Sequence, residues 1–164
     1  MHKIKNNRIL IGGASVSLPE GLYITTIDKF KESIVFTDTN KSFYIVLTSR
    51  KILYDLKSVI LREMKSYGIT SIVEVTPFSQ NGMSGFYAMF KKGGIEYYKA
   101  LLKKGTCFSD ECLEVSIISN EENTQVDTIM KKAEIKTLFC DIREEWKIYF
   151  LKHWKKLGFD VLCI

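Results

Sequence analysis

The feature that most constrains the fold is a run of four β-strand patterns between residues 69 and 119. Turn signals separate these patterns: Asn81-Gly82 follows the first, and Gly93-Gly94 lies between the second and the third. Asparagine and glycine accept positive φ at low cost, so such pairs are among the stronger short-range signals for a hairpin. The run therefore predicts an antiparallel meander that buries one face, with the rest of the chain supplying its cover.

Two further hairpins are predicted before this meander. Residues 8–18 form an opening hairpin around Gly12-Gly13, because apolar and polar residues alternate after the turn as in a half-buried strand. Residues 33–47 form a second hairpin. Residues 22–26 read as strand or extended chain, and residues 27–31 as a short connection.

An apolar stripe with three- and four-residue spacing predicts a helix over residues 50–67. Thr48 or Ser49 is the expected N-cap, and Gly68 suits the left-handed residue that follows a helix. The stripe consists of Ile52, Leu53, Leu56, Val59, Ile60, Met64 and Tyr67.

The chain after the meander predicts more helix. Residues 124–133 form a second predicted helix, and residues 134–139 are either a short strand or its continuation. Residues 141–157 predict a third helix with an aromatic face bordered by lysines. That face either packs on the sheet as core, which is the commoner outcome, or docks a partner protein or an anionic membrane surface. The candidate binding residues on it are Trp146, Tyr149, Phe150, Lys152 and Trp154.

Length and composition predict a single globular domain over residues 1–164. The chain is 46% hydrophobic and 12% aromatic, which is typical of a folded protein rather than a disordered one. Its net charge of +5 is too small to indicate a nucleic-acid partner by itself, because such a partner calls for a concentrated stripe of lysine and arginine.

The cysteines, Cys107, Cys112, Cys140 and Cys163, are interpreted as reduced thiols. A disulfide framework belongs to short secreted chains, and the spacing of Cys107 and Cys112 lacks the second close pair or the histidine of a zinc site. The glycine pairs are turn glycines, and none opens a helix as a phosphate-binding loop must. No metal and no cofactor is expected.

No catalytic constellation is apparent. The histidines are His2 and His153, and no spacing pairs either with a cysteine. The apolar run Ile9-Leu10-Ile11 is shorter than the roughly 7–15 residues of a signal-peptide core. No window approaches the ~20 apolar residues of a membrane span. A cytoplasmic location is therefore expected.

Three features occur in order along residues 8–135: the segment Ser15-Val16-Ser17-Leu18-Pro19-Glu20-Gly21, the predicted helix after the second hairpin, and the strand Gly85-Phe86-Tyr87-Ala88. In this order of elements the chain resembles the Mog1/PsbP-like family. The resemblance implies an α/β/α sandwich with a core at about residues 8–135, and a binding module without family catalytic residues. Residues 140–164 depart from the family pattern.

The sequence thus predicts an α+β domain, a mostly antiparallel twisted sheet flanked by helices in an α/β/α sandwich. The predicted function is a non-catalytic protein-binding module of an adaptor, chaperone or immunity type. Its partner is another protein, with a homodimer as a further form of assembly. The alternatives are a small enzyme that uses a cysteine or a carboxylate, and a peripheral membrane protein attached through the C-terminal helix.

Overall fold

The structure, a computed structural model, describes residues 3–5, 8–69, 74–104, 110–119, 129 and 133–137. These residues define eleven strands and one helix. In chain order the elements are β1 Lys3–Lys5, β2 Arg8–Ile11, β3 Ala14–Ser17, β4 Tyr23–Asp28, β5 Ser33–Thr37, β6 Phe43–Lys51, α1 Leu56–Ser66, β7 Val75–Gln80, β8 Met83–Lys92, β9 Ile95–Lys104, β10 Glu111–Ser119 and β11 Glu134–Thr137.

Seven strands form one antiparallel sheet in the order β4-β5-β6-β10-β9-β8-β7. The predicted meander is confirmed in β7 to β10, and its two tight turns have the expected backbone. Asn81 and Gly82 have φ of 47° and 82°, and Gly93 and Gly94 have φ of 59° and 76°. Positive φ at both central positions is what a type I′ hairpin turn requires.

A second antiparallel sheet has the order β1-β2-β3-β11. The opening hairpin is confirmed in β2 and β3. β11 pairs with β3 through Ile135 opposite Val16. Residues 134–137 are therefore a strand and not the continuation of a helix.

The core lies between the two sheets. Side chains from alternate positions of the large sheet meet those of the small sheet, and this inner layer excludes water almost completely. The large sheet contributes Ile34, Ile45, Leu47, Leu113, Val115 and Ile117, and the small sheet contributes Ile9, Ile11, Val16 and Ile135.

Helix α1 packs on the outer face of the large sheet. Asp55 caps its N-terminus, since its carboxylate accepts a hydrogen bond from the backbone N–H of Ser58 at 2.9 Å. One stripe of the helix meets apolar residues of β8, β9 and β10. The buried helix residues are Leu56, Val59, Ile60 and Met64.

The predicted α/β/α sandwich flanked by helices is wrong. The described residues are mostly β, and the inner face of the large sheet is covered by a second sheet where a helical layer was expected. The fold implied by the resemblance to the Mog1/PsbP-like family is thus not the one observed. Residues 8–17 and 134–137 supply that cover, because their alternating apolar side chains suit a sheet packed on a sheet.

The predicted start of the first helix is also wrong. Thr48 and Ser49 pair with Glu114 and Leu113 inside β6, and β6 continues to Lys51, so neither residue caps a helix. Of the second predicted helix, 124–133, the structure describes only positions 129 and 133. The third, over residues 141–157, lies outside the described residues.

Candidate functional site

Strand β4 carries one of two groups of exposed large apolar residues in the described part of the chain; the other lies in and beside α1 and consists of Leu53, Tyr54, Leu61 and Tyr67. Tyr23, Ile24 and Ile27 are 40%, 38% and 46% exposed, and Phe30, just after the strand, is fully exposed. These four residues are called the β4 surface below. Scattered single apolar residues are ordinary on a protein surface, whereas a group along one strand is characteristic of an interaction site.

A β-bulge sets the direction of two of these side chains. The register shifts between Ile24 and Thr26, which leaves Thr25 as an extra residue. Ile24 therefore pairs with Phe36 and Ile27 pairs with Ile34, and both partners point to the inner face. Without the bulge, residues three apart would point to opposite faces. The hydroxyl of Thr25 donates to the carbonyl of Val35 at 3.2 Å and holds the bulge.

A groove of about 330 Å³ lies along the inner side of this edge. The small sheet has fewer described strands than the large sheet, so it does not cover the inner face of the large sheet as far as β4. Apolar side chains at the margin of the small sheet therefore line the groove. The exposed carboxylate of Glu20 lies at the groove's rim. The groove is lined by Ile9, Leu18, Pro19, Glu20, Gly21, Leu22, Ile24 and Phe36.

The two edges of the large sheet differ in chemistry. At one edge, β7 contains Pro77, which has no N–H to offer another strand. At the other edge, β4 contains neither proline nor lysine, the residues that most often block strand addition. Among the described residues, β4 is therefore the edge strand with fewer side chains that oppose strand addition.

A cluster of four ionic groups lies on the opposite, outer face of the sheet. Arg50 of β6 contacts Glu114 of β10, and its Nη2 lies 2.6 Å from Oε1 of Glu63 in α1. Lys99 of β9 contacts the other oxygen of Glu63, and its Nζ lies 3.7 Å from Oε1 of Glu114. Two cations and two anions therefore balance within the cluster.

These contacts keep the groups charged. Burial alone raises the pKa of the Glu63 carboxyl, but hydrogen bonds from Arg50 and Lys99 outweigh it and hold the pKa below its ordinary value. Burial disfavours the charged guanidinium, yet Glu63 and Glu114 raise the pKa of Arg50. A carboxylate held by two cations is a poor general acid or base near neutral pH. The cluster joins strands to helix rather than forming a catalytic pair.

A cavity of about 300 Å³ adjoins this cluster. Its walls are aromatic, and the rings of Phe90 and Tyr97 stack at 5.1 Å between centroids. Its cations are already engaged: Lys99 with the carboxylates, and Lys92 with the backbone oxygen of Tyr67. The cavity thus combines aromatic walls with cations that are already engaged.

Cys112 is fully buried beneath helix α1. Burial raises the pKa of its thiol to about 12. The thiolate is the nucleophilic form, so burial disfavours a nucleophilic role for Cys112. Cys107, Cys140 and Cys163 lie outside the described residues, and their interpretation as reduced thiols stays a prediction.

The binding residues predicted on the third helix also lie outside the described residues. They are Trp146, Tyr149, Phe150, Lys152 and Trp154. Within the described ranges, no three His, Cys, Asp or Glu side chains group as a metal site would. No helix there is long and apolar enough to cross a membrane.

The sequence pattern does not predict the β4 surface. It predicts strand or extended chain over residues 22–26 and a connection over residues 27–31, which separates Ile27 from Ile24. The bulge that unites them has no distinct signal in Tyr-Ile-Thr-Thr-Ile-Asp. Phe30, a large aromatic next to two lysines in a predicted connection, was the available signal.

The chain matches no protein-family model and no curated protein. It is similar to a crystal structure from Bacteroides thetaiotaomicron VPI-5482, with a TM-score of 0.43 and 14% identity over 79% of this chain and 47% of that one. It is also similar to LpqN of Mycobacterium tuberculosis, involved in cell envelope biogenesis, with a TM-score of 0.40 and 11% identity over 75% of this chain and 84% of that one. The chain spans about half the length of the first structure. Neither likeness supports a statement about function.

Proposed function

We propose that the chain is a non-catalytic protein-binding module that recognises its partner through the β4 surface. The observation that carries this proposal is the grouping of Tyr23, Ile24 and Ile27 on an edge strand with Phe30 just after it, all of them exposed. Aromatic and aliphatic side chains are the groups from which the centres of protein interfaces are built. Burying these four against a partner would remove apolar surface from water.

The chemistry of the described residues supports binding over catalysis. The carboxylate of Glu63 is neutralised by cations, and the thiol of Cys112 is buried with a raised pKa. The finer interpretation, an adaptor, chaperone or immunity-type protein in the cytoplasm, is part of the same proposal. Attachment to a membrane through residues 141–157 stays a prediction.

Site-specific photo-cross-linking in the native cell tests this function. A benzophenone amino acid replaces Phe30, and in a matched variant it replaces Lys57, which is exposed on α1 away from β4. We expect a discrete adduct of defined mass from position 30 and none from position 57. The partner identified in the adduct, once purified, should bind the wild-type chain in calorimetry. Equal adducts at both positions, or none at position 30, would contradict the proposal.

A further inference from the structure

The geometry points to the form of that partner: we infer that β4 binds an extended peptide segment, which adds to the large sheet as a further strand and lays apolar side chains over the groove. This inference rests on the proposed function and names its ligand chemistry. The segment alternates apolar and polar residues and carries a basic residue where it passes Glu20.

The backbone of β4 provides the first requirement. β4 pairs with β5 on one side, and no strand among the described residues pairs with its other side. A strand paired on one side presents a row of N–H and C=O groups on the other. A peptide that bonds to this row gains affinity from main-chain hydrogen bonds, whatever its sequence.

The side chains of β4 provide the second requirement. Ile24 and Ile27 point to the same face because of the bulge, and the groove adjoins Ile24. A strand added beside β4 has every second side chain on that face, about 5 Å from its cross-strand neighbour. Those side chains would meet Ile24 and Ile27 and enter the groove, which gives specificity for apolar residues at alternate positions.

The charge at the groove sets a further preference. Glu20 lines the groove and is exposed, whereas the carboxylate of Asp28 accepts hydrogen bonds from the backbone N–H groups of Phe30 and Lys31, both at 3.0 Å. Asp28 thus uses one carboxylate oxygen to end the strand and does not line the groove, whereas Glu20 does. A lysine or arginine at one end of the peptide would lie beside it.

The bulge favours a flexible peptide over a second copy of this chain. A bulge bends its strand and increases the local twist, which is one way in which edge strands avoid pairing with the rigid edge of another molecule. A short peptide can follow the bend at Thr25, because its backbone is not held in a sheet of its own. The occupant is therefore an extended segment rather than the β4 of a second subunit.

Peptide selection followed by hydrogen exchange tests the inference. The probe is a library of random twelve-residue peptides displayed on phage and selected on the immobilised wild-type chain. We expect enriched sequences in which apolar residues alternate with polar ones. A synthetic peptide of the most enriched sequence, labelled with fluorescein, should bind in solution and slow amide exchange in residues 23–28. N-methylation of its backbone at alternate residues should weaken binding at least tenfold.

An apolar residue outside β4 provides the matched control. Ile24→Lys with Ile27→Lys puts charge on the groove face and should weaken peptide binding at least tenfold. Leu61→Lys replaces an exposed apolar residue of α1, on the outer side of the sheet, and should change peptide binding less than twofold. Ile24→Thr with Ile27→Thr is a milder pair for use if the lysine variant fails to fold, and circular dichroism checks each variant.

Three results would overturn strand addition. These are a library without enriched sequences, binding that survives both pairs of groove-face substitutions, and protection on binding that falls outside residues 23–28. If position 30 still cross-links a partner in the cell while any of these is observed, the proposed function stands and only the mode of binding is wrong.

Discussion

The guanidinium of Arg50 lies 2.6 Å from the carboxylate of Glu63, and this contact joins strand β6 to helix α1. The two side chains are 30% and 22% exposed, so the contact is shielded from water on most sides. Lys99 contacts the second oxygen of Glu63. One helical carboxylate thus links α1 to two strands that are not neighbours in the sheet.

Removing the charge of Glu63 should therefore destabilise the protein. Glu63→Gln leaves the cations of Arg50 and Lys99 with one carboxylate, that of Glu114, between them. We expect a loss of ~1–3 kcal/mol in the free energy of unfolding. Fully buried ion pairs can cost more, but water reaches part of the Arg50–Glu63 pair. Urea unfolding followed by circular dichroism measures it. Glu74→Gln, at an exposed carboxylate, is the control and should cost less than ~0.5 kcal/mol.

The ionisation of Glu63 should also make the stability of the protein depend on pH. The pKa of Glu63 is lowered in the folded state from an ordinary value of 4.5, so folding favours its ionised form. This stabilisation is fully present above the ordinary value and is lost as the pH falls through the lowered value. The difference in unfolding free energy between wild type and Glu63→Gln should be constant from neutral pH down to about pH 5 and shrink below it.

Comparing the two proteins isolates Glu63 in that measurement. The pKa values of Asp38, Asp55 and Glu134 are also lowered, and each makes wild type less stable in acid. These groups are present in the Glu63→Gln variant as well, so their effects cancel in the difference. A difference that grows as the pH falls below 4.5 would show that the cluster does not favour the ionised carboxylate.

Local pattern was sufficient to predict the hairpins. Asn81-Gly82 and Gly93-Gly94 each have positive φ at both positions, and the strands on either side of each turn pair antiparallel with each other. Such signals work because turn chemistry and side-chain period are properties of a few adjacent residues. They say which strands are formed, and they also give the pairing of strands joined by a short turn.

Local sequence patterns do not predict contacts between segments that are far apart in the chain. The pairing of Ile135 with Val16 completes the sheet that covers the core, and neither short segment indicates the other. The stripe that includes Ile52 and Leu53 fitted a helix, but the pairing of Arg50 with Cys112 extends β6 past its expected end. The tertiary contact of β6 with β10 thus outweighed the helical period.

The exposed apolar residues were missed for the same reason. Whether Ile24 and Ile27 share a face depends on the bulge opposite β5, and whether they are covered depends on the width of the smaller sheet. Both the bulge and the width of the smaller sheet depend on contacts between segments that meet only in the folded protein. The sequence did favour a protein-binding function, and the surface that supports it lies on a segment interpreted partly as a connection.

Replacing Gly85 with alanine should strongly destabilise the protein. A Cβ at this position would lie 1.8 Å from the backbone oxygen of Leu101 on the neighbouring strand, so β8 and β9 would have to separate for Gly85→Ala to fold. We expect a loss of at least ~3 kcal/mol in urea unfolding. Gly94→Ala is the control: its Cβ meets nothing within 4 Å, and its φ of 76° leaves backbone strain alone, at ~1 kcal/mol. Equal losses in the two variants would mean that β8 and β9 are not in this close contact.

Cys112 provides the prediction that bears on the enzyme alternative. With a pKa of about 12, its thiol is ionised to only ~10⁻⁴ at pH 8, and burial blocks access to the thiolate that forms. We expect iodoacetamide at pH 8 to label Cys112 in the native protein to less than a tenth of the extent reached in 8 M urea. Peptide mapping by mass spectrometry measures both.

The alkylation result separates a packing role from a catalytic one. Cys112→Ala should lower stability by ~1–2 kcal/mol, because the sulfur fills space between β10 and α1. It should leave binding at the β4 surface unchanged, since Cys112 lies on the outer face of the sheet while Ile24 and Ile27 point to the inner one. Rapid native labelling of Cys112 would instead revive the hypothesis of a cysteine enzyme, because it would require an accessible thiolate that this buried position does not offer.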